Sequence, residues 1–298
     1  MTQQNENIEF KSITEYLVHW DKFFKKWKKS PEATFEEDVI WSDEYRKGKE
    51  YFEDKQKKKL KKSTKLEPDV LPQPYLGNYQ KHSVITLNLN PSRSKKNTEN
   101  IEFEKNNLPK FKEAENYSTY AENFPTYDID FWQNQKNWID RIFENLGKEK
   151  PSLKDIKPFA IEICPWGSKS FQKLKIKKDD PLIKYMDQHV FDVIEKVIEY
   201  SKLKIVLSVG KAYYDIFDNK KTDFELKEEI SYQKNKPEGM DWPQTIDKDS
   251  GKDRDVKRTF SIWKKGKILY INTYASGSNT PPAEHFDEIQ NQLIEKYL

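Results

Sequence analysis

The sequence predicts an α/β fold, and three features predict it. Four short apolar runs recur along the chain, each closed by a polar, loop-forming segment. Stretches with helical periodicity separate or follow them. Aromatic residues reach 14% although hydrophobic residues reach only 35%, so the chain can build aromatic-rich cores that a disordered sequence lacks. Strands alternating with helices imply crossover units and a mostly parallel sheet covered on both faces. The expected architecture is a three-layer sandwich around a central, mostly parallel four-stranded sheet, with an N-terminal helical extension over 1–70 and an α/β domain over 71–298.

The N-terminal extension reads as helix with charged faces. Ile13, Tyr16, Leu17, Trp20, Phe23, Phe24 and Trp27 recur at three- and four-residue spacings and form one apolar stripe. Ser30-Pro31 ends it. A second helical stretch is expected from about Phe35 to Leu60, with Val39, Ile40, Tyr45 and Phe52 inward. Lys55 to Lys65 contains seven lysines and no acid, which suits a solvated helix end or a stripe that contacts phosphates. Leu71 to Asn78 is a rigid, turn-rich entry to the α/β domain.

The first run, Val84 to Leu87, closes in Asn88-Leu89-Asn90-Pro91-Ser92. The second, Phe159 to Cys164, closes in Pro165-Trp166-Gly167-Ser168. The third, Ile205 to Val209, closes in Gly210-Lys211, and the fourth, Ile268 to Asn272, closes in Thr273-Tyr274-Ala275-Ser276-Gly277. Helices are expected over Trp132–Leu146, Leu182–Tyr200, from Ala212 to Phe217, and over His285–Tyr297. Asp218 to Lys257 is polar and lacks periodicity, which predicts a surface insertion at about 218–257. Thr259–Trp263 and Ile268–Asn272, joined by Lys264-Lys265-Gly266-Lys267, predict a hairpin.

Composition narrows the function. Fifty-three Lys and Arg against fifty Asp and Glu leave +3, so the distribution of charge must speak for or against a nucleic-acid partner. The single Cys164 allows no disulfide framework within the chain and fits a reducing compartment. No apolar run approaches the ~20 residues of a membrane span, and Met1 to Glu9 lacks the pattern of a signal peptide. A soluble, cytoplasmic monomer without membrane association is expected.

Ligands of open parallel sheets bind outside the carboxyl ends of the strands. That rule selects Asn90, Ser92, Glu162, Trp166, Ser168, Gly210, Tyr274, Ser276 and Asn279. No His lies at the four ends and no Cys/His cluster has metal spacing, which argues against a zinc deaminase. Phosphate-binding glycine motifs and a nucleophile elbow are also missing. No cofactor and no metal is expected. Pro91 disfavours the α region for Asn90 and so holds it extended just past a buried strand. That step serves either as a structural turn or to present an amide that can accept from water and donate to a ligand.

The order of these segments resembles the uracil-DNA glycosylase superfamily. In several of its branches a strand ends in a Gly-Ile-Asn-Pro-Gly-type motif; Asn88-Leu89-Asn90-Pro91-Ser92 keeps the Asn-Pro core and replaces both glycines. Lys204 to Ala212 is similar to that superfamily's strand, glycine and following helix. Ile268 to Asn279 and the Phe286 helix are similar to its last strand, His-Pro-Ser-type loop and terminal helix. The resemblance covers roughly residues 71–298. It implies a monofunctional DNA glycosylase that flips a nucleotide, hydrolyses its N-glycosidic bond and leaves an abasic site. Asn90 would position the attacking water, and Ser92 with the Tyr274–Ser276 loop would stabilise the departing base.

Two positions depart from the family. Tyr274-Ala275-Ser276 stands in place of His-Pro-Ser. Glu162 stands where many members carry a base-reading Asn, and an ionised carboxylate accepts only, so it suits the exocyclic amine of a cytosine-type base. Excision of a modified cytosine, as in defence against phages with altered DNA, is one expectation; an ordinary strand carboxylate paired with a Lys or Arg is the other. Trp166 and Phe171 are candidates to stack on the flipped base or belong to the core. Arg93, Lys95, Lys96, Lys169 and Lys211 are candidate phosphate contacts, and Asn279 a probe of the duplex. A non-catalytic DNA- or nucleotide-binding protein on the same fold remains the alternative, and a metal nuclease lacks the required Lys beside Glu162.

Overall fold

The computed structural model describes residues 10–38, 40–41, 66, 68, 71–82, 84–89, 113–123, 130–148, 158–167, 181–219, 222–231, 244–246, 253–255, 258–275, 281–282 and 284–298. In chain order the elements are α1 (Ile13–Lys29), α2 (Pro31–Glu37), β1 (Tyr75–Leu76), β2 (Ile85–Asn88), α3 (Tyr117–Glu122), α4 (Asp130–Asn145) and β3 (Phe159–Glu162). There follow α5 (Pro181–Met186), a π-helical turn (Asp187–Phe191), α6 (Asp192–Val197), β4 (Ile205–Val209) and α7 (Lys211–Phe217). Then come β5 (Glu225–Ser231), β6 (Gln244–Ile246), β7 (Asp253–Asp255), β8 (Arg258–Lys265), β9 (Ile268–Ala275) and α8 (Asp287–Tyr297). The class is α/β. Among the described residues no helix is long and apolar enough to cross a membrane.

The chain divides into two compact units, one of Met1–Pro125 with Pro158–Ser201, the other of Thr126–Lys157 with Lys202–Leu298. In the first, β2 runs parallel to β3, and the two-residue β1 pairs antiparallel with β3 on its other side. Both longer strands are buried along their whole length, which is why they read as continuous apolar runs rather than alternating ones. The N-terminal helices belong to this unit. Along α1, Ile13, Tyr16, Trp20, Phe24 and Trp27 are buried, and Phe24 stacks on Tyr117 with ring centroids 4.0 Å apart. Tyr16 meets Tyr75 of β1, and the Tyr117 hydroxyl donates to the Tyr75 carbonyl. The helix starts at a capping arrangement: Ser12 accepts from the Glu15 amide and Glu15 accepts from the Lys11 amide. It ends at Ser30, and Pro31 opens α2, where its missing N–H costs nothing. Helix was expected to resume only at about Phe35; of the stretch to Leu60, residues 42–60 lie outside the described residues.

In the second unit β4 runs parallel to β9, β8 pairs antiparallel with β9, and β5 pairs antiparallel with β8. The predicted hairpin is β8–β9, turning at Gly266-Lys267, with Gly266 at φ 58°. Helices α4 and α8 meet through the Trp138 indole N–H, which donates to Gln290, and through the Arg141–Asp287 ion pair. Helix α7 packs Phe217 on Tyr270 of β9.

Four strands were expected, and β2, β3, β4 and β9 are those four. Antiparallel β1, β5 and β8 accompany them, so the pairing in each unit is mixed. The 218–257 stretch, read as irregular surface, contains β5 and a β6–β7 hairpin. Its strand Glu225-Leu-Lys-Glu-Glu-Ile-Ser231 is half-exposed to exposed along its length, so it carries no apolar period to detect.

Candidate functional site

The first unit brings two polar side chains together at the carboxyl ends of its parallel strands. The register pairs Ile85 with Phe159 and so, three steps on, Asn88 with Glu162. Pairing continues past the strand ends: the Ile163 amide donates to the Asn88 carbonyl at 2.9 Å and the Cys164 amide to the Leu89 carbonyl at 2.8 Å. On its other side β3 is fastened by the Glu162 amide donating to the Pro74 carbonyl. The backbone that carries Glu162 is therefore held from both flanks up to Leu89, the residue before Asn90.

Asn88 and Glu162 are 5% and 6% exposed. A carboxylate taken out of water at this depth is penalised in its charged form. Burial accordingly pushes the Glu162 carboxyl up to about 8, against which the neighbouring Asn88 side chain pulls it down. Near neutral pH Glu162 is mostly a carboxylic acid, and its Oε2 has no hydrogen-bond partner among the described residues. Held neutral by its burial, the carboxyl offers an O–H donor beside a carbonyl acceptor, where an ionised one only accepts. Among the described residues no Lys or Arg pairs with it. Asn88 is not among the candidates that the sequence offers; its only signal there is a polar residue at the end of an apolar run, and the register with Glu162 comes from the structure.

Trp166 is fully buried. Its indole is edged by Phe35 at 4.7 Å and Phe23 at 5.8 Å, and its N–H donates to Asp38 at 2.9 Å. An indole enclosed and bonded in this way is core, so stacking on a base is not its role. Asp38, which caps the end of α2, is the half-buried partner that the charged surroundings in the sequence hid. Burial raises its carboxyl to about 6, and the Trp166 bond opposes that shift.

In the second unit, the Gly210 amide donates to the Thr273 carbonyl at 2.9 Å, which extends the β4–β9 pairing. Gly210 sits at φ 144°, where a side chain is strained, and turns the chain into α7. Lys211, the first residue of α7, is exposed. Tyr274 is half-buried near the end of β9, its ring 5.7 Å from that of Tyr214. One residue before it, the Thr273 hydroxyl accepts from the guanidinium of buried Arg258 at 3.2 Å. Asn90, Ser92, Arg93, Lys95, Lys96, Ser168, Lys169, Phe171, Ser276 and Asn279 lie outside the described residues.

Among the described residues no group of three or more His, Cys, Asp or Glu is placed to hold a metal ion. Comparison of the chain with protein-family models, with curated proteins and with solved structures finds no match in any of the three.

Proposed function

We propose that the chain is a DNA glycosylase that hydrolyses the N-glycosidic bond of a flipped, modified or deaminated pyrimidine and leaves an abasic site. The observation that carries this reading is the buried Asn88–Glu162 pair at the carboxyl ends of two parallel strands, two residues before Asn90-Pro91. A neutral carboxyl next to an amide is a base-reading chemistry. It can donate to O4 and accept from N3–H of a uracil-type base, or donate to N3 and accept from the amine of a cytosine-type base. Once ionised it can only accept, from N3–H of a uracil-type base or from the amine of a cytosine-type base, and the donated bond to O4 or N3 is lost.

In the reaction, Asn90 aligns water with the anomeric carbon. The water oxygen bonds to that carbon and the carbon–nitrogen bond breaks, with its electron pair leaving on the base. The water proton goes to solvent or to the departing base. An amide is a poor base, so the rate comes from alignment and from dipoles set where charge develops. Ser92, Tyr274 and Ser276 are the candidates for those dipoles. The three-layer sandwich expected from the sequence belongs to the same proposal, as does a bulky modified cytosine of the phage type as one substrate.

The test is a panel of duplexes and single strands carrying natural, deaminated and modified pyrimidines, scored for alkali-labile sites. We expect cleavage of at least one, lost by about 10²-fold or more in Asn90→Ala with an unchanged circular dichroism spectrum. With either type of substrate the rate should fall as pH rises through about 8, where Glu162 ionises and its donated hydrogen bond to O4 or N3 is lost. If no member is cleaved although folded protein binds DNA, the chain is a non-catalytic DNA- or nucleotide-binding protein.

A further inference from the structure

The buried stripe of α1 fixes which residues the helix turns outward. With Tyr16, Trp20, Phe24 and Trp27 inward, the 100° step between successive residues places Lys22, Lys25 and Lys29 on the opposite side, three and four residues apart. All three are exposed. Two acids nearby are already committed. Asp21 accepts from the backbone and hydroxyl of Ser118, and Glu37 of α2 pairs with Lys26 at 2.9 Å. Lys28 donates to the Ala114 carbonyl. Lys22, Lys25 and Lys29 make no ion pair among the described residues. Their Cα positions span about 10 Å along the helix axis. Near this end of α1 the Pro68 carbonyl accepts from the Trp27 indole.

We infer that the outward face of α1 is a docking surface for the phosphate backbone of DNA, with Lys22, Lys25 and Lys29 as its contacts. A row of ammonium groups on a rigid, well-anchored helix fits a linear polyanion, which carries one charge per ~3.4 Å of each strand. A lipid surface would call for large apolar side chains among the lysines, and Val18 is the one exposed large hydrophobic residue on α1. The inference rests on the proposed function only for the choice of DNA as the polyanion. It gives the N-terminal helix a part in holding the substrate without reading its sequence.

The test is equilibrium binding of the full chain to an unmodified duplex, measured by fluorescence anisotropy over a series of salt concentrations. The variant replaces Lys22, Lys25 and Lys29 together by Gln, with Arg at the same positions as the charge-keeping control. Each lost phosphate contact lowers the slope of log K against log salt by about 0.9, so the Gln variant should lose about 2 to 3 in slope. The Arg control should keep the wild-type slope. An unchanged slope in a Gln variant with wild-type melting would overturn the inference, as would an effect confined to anionic vesicles or polyglutamate. Base excision is scored separately on the same preparations. A changed slope without excision keeps this inference and removes the proposed reaction; excision with an unchanged slope does the reverse.

Discussion

At Glu162, burial decides the chemistry that the residue type leaves open. Its carboxyl titrates near 8 in the folded chain against an ordinary 4.5. Between those values the unfolded chain has released the proton and the folded one has kept it, so stability falls as pH rises through that window. Asp38 adds a slope of the same sign that is complete by about pH 6; the lowered histidines His19 and His189 add a slope of opposite sign up to about their ordinary 6.5. Glu162→Gln keeps a donor beside an acceptor but has no charge to bury. We expect the variant to be more stable by on the order of 2–3 kcal/mol at pH 7, and to lose the decline that the wild type shows as pH rises from 7 to 8 in urea unfolding. An equal decline in wild type and variant over that range would show that the carboxyl is already ionised. At Trp166 burial acts the other way, turning a residue that the sequence allows as a stacking platform into the hydrogen-bonded centre of a cluster with Phe23, Phe35 and Asp38.

Helix α1 shows how an element combines a legible pattern with partners that are not legible. Its apolar stripe and its stop at Ser30-Pro31 follow from side-chain spacing and from proline. Its partners do not: Tyr117 and Tyr75 lie far along the chain and meet it only by folding. Phe24→Ala removes a ring stacked on Tyr117 and should cost about 3–5 kcal/mol, read as a lowered urea midpoint. The same helix places His19 with Phe10 and His189, the two imidazole centroids 6.0 Å apart. His189 lies in the π-helical turn and stacks on Tyr185 at 4.4 Å. Burial lowers both histidines, His19 to about 4 with help from Lys22 and Lys26, and His189 to about 3 with help from His19. Their ordinary value is 6.5, so the unfolded chain takes up protons first and the histidines' contribution to stability falls as pH drops below about 6.5, against the opposite slope of Glu162 and Asp38. His189→Gln should therefore gain stability relative to the wild type as pH falls from 6 to 5, measured by near-ultraviolet circular dichroism in fixed urea. Strand β5 is the opposite case: its polar, partly exposed side chains leave no period, and only its pairing with β8 makes it a strand.

On the scale of the whole chain, the contacts that close each unit join residues far apart in sequence. Trp138 and Gln290 are 152 positions apart, and Ile289, Leu293 and Ile294 of α8 are buried. Ending the chain at Phe286 should therefore leave α4 with an exposed apolar face, and we expect aggregation on expression; a soluble product with native melting would contradict that packing. The sequence by itself determined the α/β class, the four principal strands, the β8–β9 hairpin and the stripe of α1, because backbone periodicity and proline and glycine punctuation are local properties. Tertiary structure alone decided the register that sets Asn88 against Glu162, the protonation of that carboxyl, the burial of Trp166 on Asp38 and the antiparallel strands β1 and β5. Each of these depends on what a distant segment places beside the residue, and desolvation, hydrogen bonding and strand pairing are set by neighbours in space rather than along the chain.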